Sequence, residues 1–126
     1  MSLRYPGLLA GLAALAMALP GIARAQANPS IPFYGYGAIV ANPSFPIAGE
    51  NAVINVTVSN TGDEAVTNVQ VKLSFNDWGV TFFGWQEIGT QTIPSIPAGG
   101  TATVTYNYVF QNRAHTCLEA LIVGAD

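Results

Sequence analysis

The chain has 126 residues, of which 50% are hydrophobic and only 9% are charged, and its formal net charge is −3. This length holds one sizeable domain, and the high apolar content argues against intrinsic disorder. Lys and Arg together number 4, too few for a phosphate-binding surface, so nucleic acid is excluded as a partner.

Residues 1–25 have the pattern of a secretory signal peptide. A positive charge precedes an apolar helical run at 8–19, and a small-x-small cleavage motif ends at Ala25. The apolar run is too short for a transmembrane helix, and Pro20 interrupts it. We therefore expect cleavage before Gln26 and export by a bacterium to the periplasm, the medium or the cell surface. No membrane association is expected after cleavage.

Residues 26–37 are punctuated by proline and glycine. Proline fixes φ and removes a backbone donor, so this segment is predicted to be an extended arm. Its aromatic side chains either pack on the domain or form a candidate interface with a partner: Phe33, Tyr34 and Tyr36.

Residues 38–126 are predicted to form the folded domain, because apolar and polar residues alternate there with period two. Such alternation places apolar side chains on one face of a strand and cannot do so on a helix. The segments with this pattern are 38–41, 52–59, 68–75, 88–93, 101–110 and 116–123, and a less regular one spans 76–85. Turn signals separate them about every 8–12 residues, which predicts a seven-stranded antiparallel β-sandwich of the immunoglobulin type.

Four stretches of the domain carry a resemblance to a known family: residues 45–50, 54–62, 69–73 and 96–105. They are similar to the CARDB-type domains of bacterial and archaeal cell-surface proteins. The resemblance implies an immunoglobulin-like or fibronectin-III-like sandwich. It also implies a spacer, an adhesion module or a binding accessory without shared catalytic residues.

The Asn60-Thr61-Gly62 turn lies within one of these stretches. We expect Gly62 to adopt positive φ there and the Asn60 side chain to hydrogen-bond the neighbouring backbone.

The sequence predicts no metal site and no cofactor. His115 and Cys117 share a face of the last predicted strand, but structural zinc takes four ligands. Asp77 and Glu87 flank the aromatic segment, yet a sandwich of this size lacks the long loops that build a glycosidase cleft. We therefore expect a protein that is not an enzyme.

An aromatic segment before the fifth predicted strand is the candidate binding surface. Its rings either fill the core between the sheets, as Trp does in many such sandwiches, or stack on sugars or peptide side chains. The residues concerned are Trp78, Phe82, Phe83 and Trp85.

The last predicted strand has an unusually apolar outer face. Its core-facing residues are predicted to be Leu118, Ala120 and Ile122. Its outward residues are predicted to be Cys117, Glu119, Leu121 and Val123. Either a bulge near Cys117 buries that thiol, or Cys117, Leu121 and Val123 form an interface with another subunit.

The sequence thus predicts a secreted, non-catalytic immunoglobulin-like module with a structural or adhesive role at the cell surface. One alternative is a subunit of an extracellular assembly, in which residues 26–37 add a strand to a neighbour's sheet. Another is a carbohydrate-binding module that uses residues 78–85. The expected partner is a protein or a second copy, and a glycan under the last alternative.

Overall fold

A computed structural model describes residues 25–32, 37–77, 84–111 and 115–126. These ranges contain seven β-strands, and none of their residues is helical. No described helix is long and apolar enough to cross a membrane. The strands are β1 (Pro29–Ser30), β2 (Ile39–Asn42), β3 (Asn51–Asn60), β4 (Val66–Asp77), β5 (Gln86–Ile96), β6 (Thr101–Val109) and β7 (Thr116–Gly124).

The strands form two antiparallel sheets that pack face to face. In the four-stranded sheet, β3 pairs with β6 along one side and with β1 and β2, end to end, along the other. In the three-stranded sheet, β4 lies between β5 and β7. The predicted all-β sandwich is therefore correct, and β5 and β7 are the edges of its smaller sheet.

The strands form where they do because their alternation fits a pleated sheet with one buried face. On β3, every second residue from Ala52 to Val58 is buried and the residues between them are more exposed. On β4, Val69, Val71 and Leu73 are buried in the same way. The two inner faces meet in one hydrophobic core, as the sequence pattern predicted.

The structure has seven strands, as predicted, but one of them is not the strand that the sequence predicted. The irregular segment 76–85 supplies no separate strand among its described residues, because 76–77 end β4 and 84–85 precede β5. The additional strand is β1, which lies in the proline-rich arm. Two residues between prolines carry no periodicity, so the sequence pattern did not reveal this strand.

β5 is longer than the sequence predicted. Pro94, expected in a loop, lies inside this strand, and the loop begins after Ile96. Proline lacks the donor that a central strand needs, but an edge strand has one side without a partner. The edge position of β5 therefore explains how Pro94 is accommodated.

Candidate functional site

β7 is an edge strand whose only partner among the described strands is β4. Its inward side chains pack on the core but are only partly buried: Leu118, Ala120 and Ile122. The β4 residues opposite them are fully or almost fully buried: Phe75, Leu73 and Val71. The core is therefore less covered along β7 than at the centre of the sheet.

The outer face of β7 exposes two large apolar side chains. Leu121 is 43% and Val123 is 49% exposed, in the outward orientation that the sequence predicted. The register with β4 is regular from Ile122 to Thr116, and its shift lies at the other end of the strand from Cys117. Cys117 therefore keeps its outward position, where it is half-buried and carries a free thiol. The interface itself stays a prediction.

Asn76 on β4 lies directly opposite Cys117. Its side chain is 2% exposed, and its Oδ1 atom has no hydrogen-bond partner. A buried acceptor in this state costs stability, since most buried polar atoms in proteins are paired. A buried, unsatisfied polar atom thus lies on β4 beside Cys117, and the exposed apolar residues lie further along β7.

The other sheet edges among the described strands are β1, β2, β5 and β6, of which β1 and β2 are short, while a side-chain hydrogen bond joins β5 to β6. β2 has only 4 residues and is followed by Pro43. On β5, the Gln91 Nε2 donates a hydrogen bond to the Thr105 carbonyl on β6 at 2.6 Å, which joins the two sheets along that side. Pro94 also interrupts the β5 edge. β7 has neither proline nor lysine, two residue types that protect edges from pairing with other chains.

The described part of the arm is docked on the end of β3 in the same chain. Pro29 pairs with Asn60 and Ser30 with Ser59. The Asn28 backbone carbonyl accepts a hydrogen bond from the Thr61 N–H at 3.1 Å. This part of the arm therefore lies against its own domain.

Asn60 connects the arm, the turn after β3 and the end of β5. It is 1% exposed, and its Nδ2 group lies within hydrogen-bond distance of the Glu64 carbonyl at 2.7 Å and the Ile96 carbonyl at 3.2 Å. Its Oδ1 accepts from the N–H groups of Asn28 at 2.9 Å and Gly62 at 3.1 Å. The predicted hydrogen bonding by Asn60 is confirmed, but its reach across three segments required the fold.

The expectation of positive φ at Gly62 is wrong, because this glycine is not among the residues that have it. Gly62 is needed for a different reason. A Cβ atom there would lie 2.0 Å from the Gln26 carbonyl oxygen and 2.7 Å from the Asn28 nitrogen. The arm therefore rests directly on the Gly62 backbone.

Most of the predicted aromatic surface lies outside the described residues: Trp78, Phe82 and Phe83, together with Phe33, Tyr34 and Tyr36 of the arm. Trp85 is described and is 43% exposed just before β5. The structure therefore places one of these rings at the surface and leaves the rest of the surface a prediction.

A different set of rings packs at one end of the core. Phe75, Tyr108 and Phe110 have ring centroids 4.8–5.5 Å apart. Beside them lies a small cavity of about 120 Å³, which Asp77 and Gln86 also line. These rings come from β4 and from β6 with the residue after it, so they are core residues in this fold.

The described residues contain no cluster of three or more His, Cys, Asp or Glu side chains that would hold a metal ion. Burial raises the pKa of Tyr106 above its ordinary value of 10.0. Tyr106 lies in the core between the sheets, away from any surface site.

Comparisons with known proteins agree with the fold. The CARDB family model matches residues 38–126, which confirms the resemblance seen in the sequence. CARDB is a family of non-catalytic immunoglobulin-like domains that occur in extracellular and cell-surface proteins of bacteria. A comparison with curated proteins found no match.

Nine chains of solved structures are similar to this chain, and they include the following two. The solution structure of GmR58A from Geobacter metallireducens has 29% sequence identity and a TM-score of 0.50, over 60% of this chain and 59% of that one. The β-glucosidase EmGH1 from Erythrobacter marinus has 18% identity and a TM-score of 0.54, over 76% of this chain and 14% of that one. The chain thus spans about three fifths of the first and a small part of the second, and the second shows the fold alone.

Proposed function

Since the chain belongs to the CARDB family, we propose that it is a secreted, non-catalytic immunoglobulin-like module with a structural or adhesive role at the cell surface. We further propose that it associates with a second copy of itself through β7. The observation that carries this second step is that β4 is the one partner of β7 among the described strands, with Leu121 and Val123 exposed beside that edge.

The sequence of β7 suits pairing with itself. A twofold axis perpendicular to the sheet pairs two β7 strands antiparallel and keeps the core-facing side chains of both on one side. With Ala120 at the axis, Leu118 lies opposite the partner's Ile122, and Glu119 lies opposite the partner's Leu121. With Glu119 at the axis, two carboxylates would face each other directly, which is destabilising. The register centred on Ala120 is therefore favoured.

This arrangement joins the two three-stranded sheets into one continuous sheet. The new backbone hydrogen bonds form on the side of β7 that faces away from β4. The partly buried Leu118 and Ile122 gain apolar neighbours, because they lie opposite each other across the axis. Edge pairing of this kind is the same interaction by which extended segments add to exposed sheets.

Sedimentation analysis of charge variants tests both the association and its register. Leu121→Glu places a second carboxylate opposite Glu119 of the partner, whereas Leu121→Lys places an opposite charge there. Both variants remove the same apolar side chain, so we expect the glutamate variant, whose dimer is weaker, to dissociate at several-fold higher protein concentration than the lysine variant. Equal behaviour of the two would contradict the register, and a wild-type chain that stays monomeric would contradict the association.

The matched control is Val40 on β2, which is 46% exposed in the other sheet. Val40→Glu and Val40→Lys should leave the association unchanged. The native thiols do not face each other in the proposed register, because Cys117 lies opposite the partner's Val123. We therefore expect the wild-type chain to migrate as a monomer on a non-reducing denaturing gel.

Secretion and surface location are tested separately. Expression of the full chain in a bacterial host, followed by fractionation and mass analysis, should give a product that begins at Gln26 outside the cytoplasm. An unprocessed chain retained in the cytoplasm would contradict the secreted role without affecting the sedimentation result.

Pairing of the arm with a neighbour remains an alternative. It would require release of the contacts that Asn28, Pro29 and Ser30 make with the same chain's β3 and adjoining turn. Size-exclusion chromatography of chains with and without residues 26–37 tests it. An oligomer that disappears on deletion, and that is insensitive to the Leu121 variants, would favour the arm over β7.

Carbohydrate binding is a second alternative, and the exposed Trp85 ring favours it. A glycan array with wild-type and Trp85→Ala chains tests this function. Binding that is lost with the ring would support it, and no binding by the wild-type chain would eliminate it.

A further inference from the structure

The predicted cleavage site lies at a contact between the arm and the turn after β3. The Gln26 nitrogen donates a hydrogen bond to the Asp63 Oδ1 atom at 2.6 Å. The Asp63 N–H returns a hydrogen bond to the Gln26 carbonyl at 3.1 Å. Cleavage before Gln26 would convert this nitrogen from an amide into an α-ammonium group in the same place.

We propose that Asp63 is the binding site for the chain's own processed N-terminus and that it protects Gln26 from cyclisation to pyroglutamate. The carboxylate pairs with the α-ammonium group and holds it in its charged form, because a nearby opposite charge favours ionisation. The inference is independent of the association proposed for β7. It needs only the contacts of the arm and a chain that begins with Gln26.

The chemistry of cyclisation explains the protection. The neutral α-amine attacks the Cδ atom of its own side-chain amide. The new C–N bond closes a five-membered lactam, the Cδ–Nε2 bond breaks, and ammonia leaves with one proton taken from the amine. An ammonium group has no lone pair for this attack, so a carboxylate that keeps the nitrogen protonated slows the reaction.

The neighbouring contacts fix the position of Gln26 beside Asp63. The carbonyl of Gln26 lies so close to Gly62 that a Cβ atom there would be 2.0 Å away. Asn28, two residues later, bonds to Asn60 through its N–H at 2.9 Å and to Thr61 through its Nδ2 at 2.7 Å. The backbone on both sides of the ion pair is therefore held.

Asp63 is the one ionisable side chain among the described residues that line the open cleft at this contact. The next acidic residue in the chain, Glu64, is exposed and does not line that cleft. This difference between two adjacent carboxylates provides a matched control.

The test measures the rate of ammonia loss by mass spectrometry in chains that begin at Gln26, released from a fusion partner by a protease. The seven described strands all lie within residues 26–126, so these chains contain every one of them. We expect Asp63→Asn to cyclise about three- to tenfold faster than the wild type near neutral pH, since a shift of one pKa unit changes the neutral amine fraction about tenfold. Glu64→Gln should match the wild type.

Two further measurements distinguish the folded contact between Gln26 and Asp63 from an effect of the substitution that does not need the fold. In urea, the wild-type and Asp63→Asn chains should cyclise at the same rate. In the folded state, Gly62→Ala keeps the carboxylate but displaces Gln26, so it should accelerate cyclisation as well. Equal rates for the folded wild-type and Asp63→Asn chains, or a difference that persists in urea, would overturn the proposal.

Discussion

The hydroxyl of Tyr106, on β6, donates a hydrogen bond to the backbone carbonyl of Val71, on β4, at 2.5 Å. The two residues belong to different sheets, so this bond crosses the core of the sandwich. Tyr106 is 3% exposed, and no solvent replaces the bond if it is removed.

Tyr106→Phe should therefore lower the free energy of unfolding by about 1–2 kcal/mol, because a buried hydrogen bond is lost while the ring is kept. Urea denaturation measures the change. Tyr108→Phe, on the same strand and half-buried in the aromatic cluster, is the matched control and should cost less. A loss at Tyr106 no larger than that at Tyr108 would argue against a stabilising cross-sheet bond.

The same tyrosine predicts a dependence of stability on alkaline pH. Burial raises the pKa of Tyr106 above its ordinary value of 10.0. The unfolded chain therefore loses this proton at lower pH than the folded chain, and the stabilisation is complete below pH 10.0 and is lost as pH rises toward the folded pKa. Unfolding free energies measured on both sides of pH 10.0 should fall more steeply for the wild type than for Tyr106→Phe.

Substitution of Asn60 is expected to lower the free energy of unfolding more than substitution of most other polar residues. Asn60→Ala removes hydrogen bonds to the arm, the turn after β3 and the end of β5, so we expect a loss of about 3 kcal/mol in unfolding free energy. Asn60→Asp should be at least as damaging, because a carboxylate oxygen would then face backbone carbonyls. Asn55→Ala, which removes one hydrogen bond with Thr105 on the outer face, should cost under about 1 kcal/mol.

Gly62→Ala should release the arm. The added Cβ atom would overlap the backbone of Gln26 and Asn28, so the amide protons at the arm contact should exchange faster with solvent. Gly89→Ala is the control, because its added Cβ would meet only the Tyr106 ring at an ordinary distance of 3.8 Å. Deletion of the arm should make Gly62→Ala harmless, and a destabilisation that survives the deletion would contradict the contact.

Trp85→Ala should change the melting temperature little. The ring is substantially exposed before β5, and surface substitutions of this kind shift stability by about 0.5 kcal/mol or less. A large fall in melting temperature would instead show that the ring is part of the core, which is the other interpretation of the aromatic segment.

The core could be predicted from the sequence because alternation is a local property. The apolar faces of 52–59 and 68–75 follow from residues two apart, and the structure buries those faces. The predicted strand boundaries were less accurate where pairing with another strand sets the boundary. At Pro94 the strand continues, because β5 is an edge strand and accommodates the proline. The two-residue β1 was missed because it exists only through its pairing with Asn60 and Ser59.

Some features of the candidate site could also be predicted from the sequence, and others depended on strand pairing. The outward orientation of Leu121 and Val123 was predictable from the pattern of the last strand. That β7 is an edge, and that it covers the core incompletely, depends on which strands pair with it. The sequence likewise marked Asn60 and Gly62 as a turn but assigned Gly62 the wrong role, since the arm that approaches it comes from a distant part of the chain.

The sequence by itself determined the strand pattern, the faces of the core and the family, because each depends on neighbouring residues along one chain. Only the tertiary structure decided that β7 lies at the edge of the described three-stranded sheet and that Gln26 meets Asp63. Both depend on pairings between segments far apart in sequence, and backbone hydrogen bonding and close packing fix such pairings only when the whole sandwich has formed.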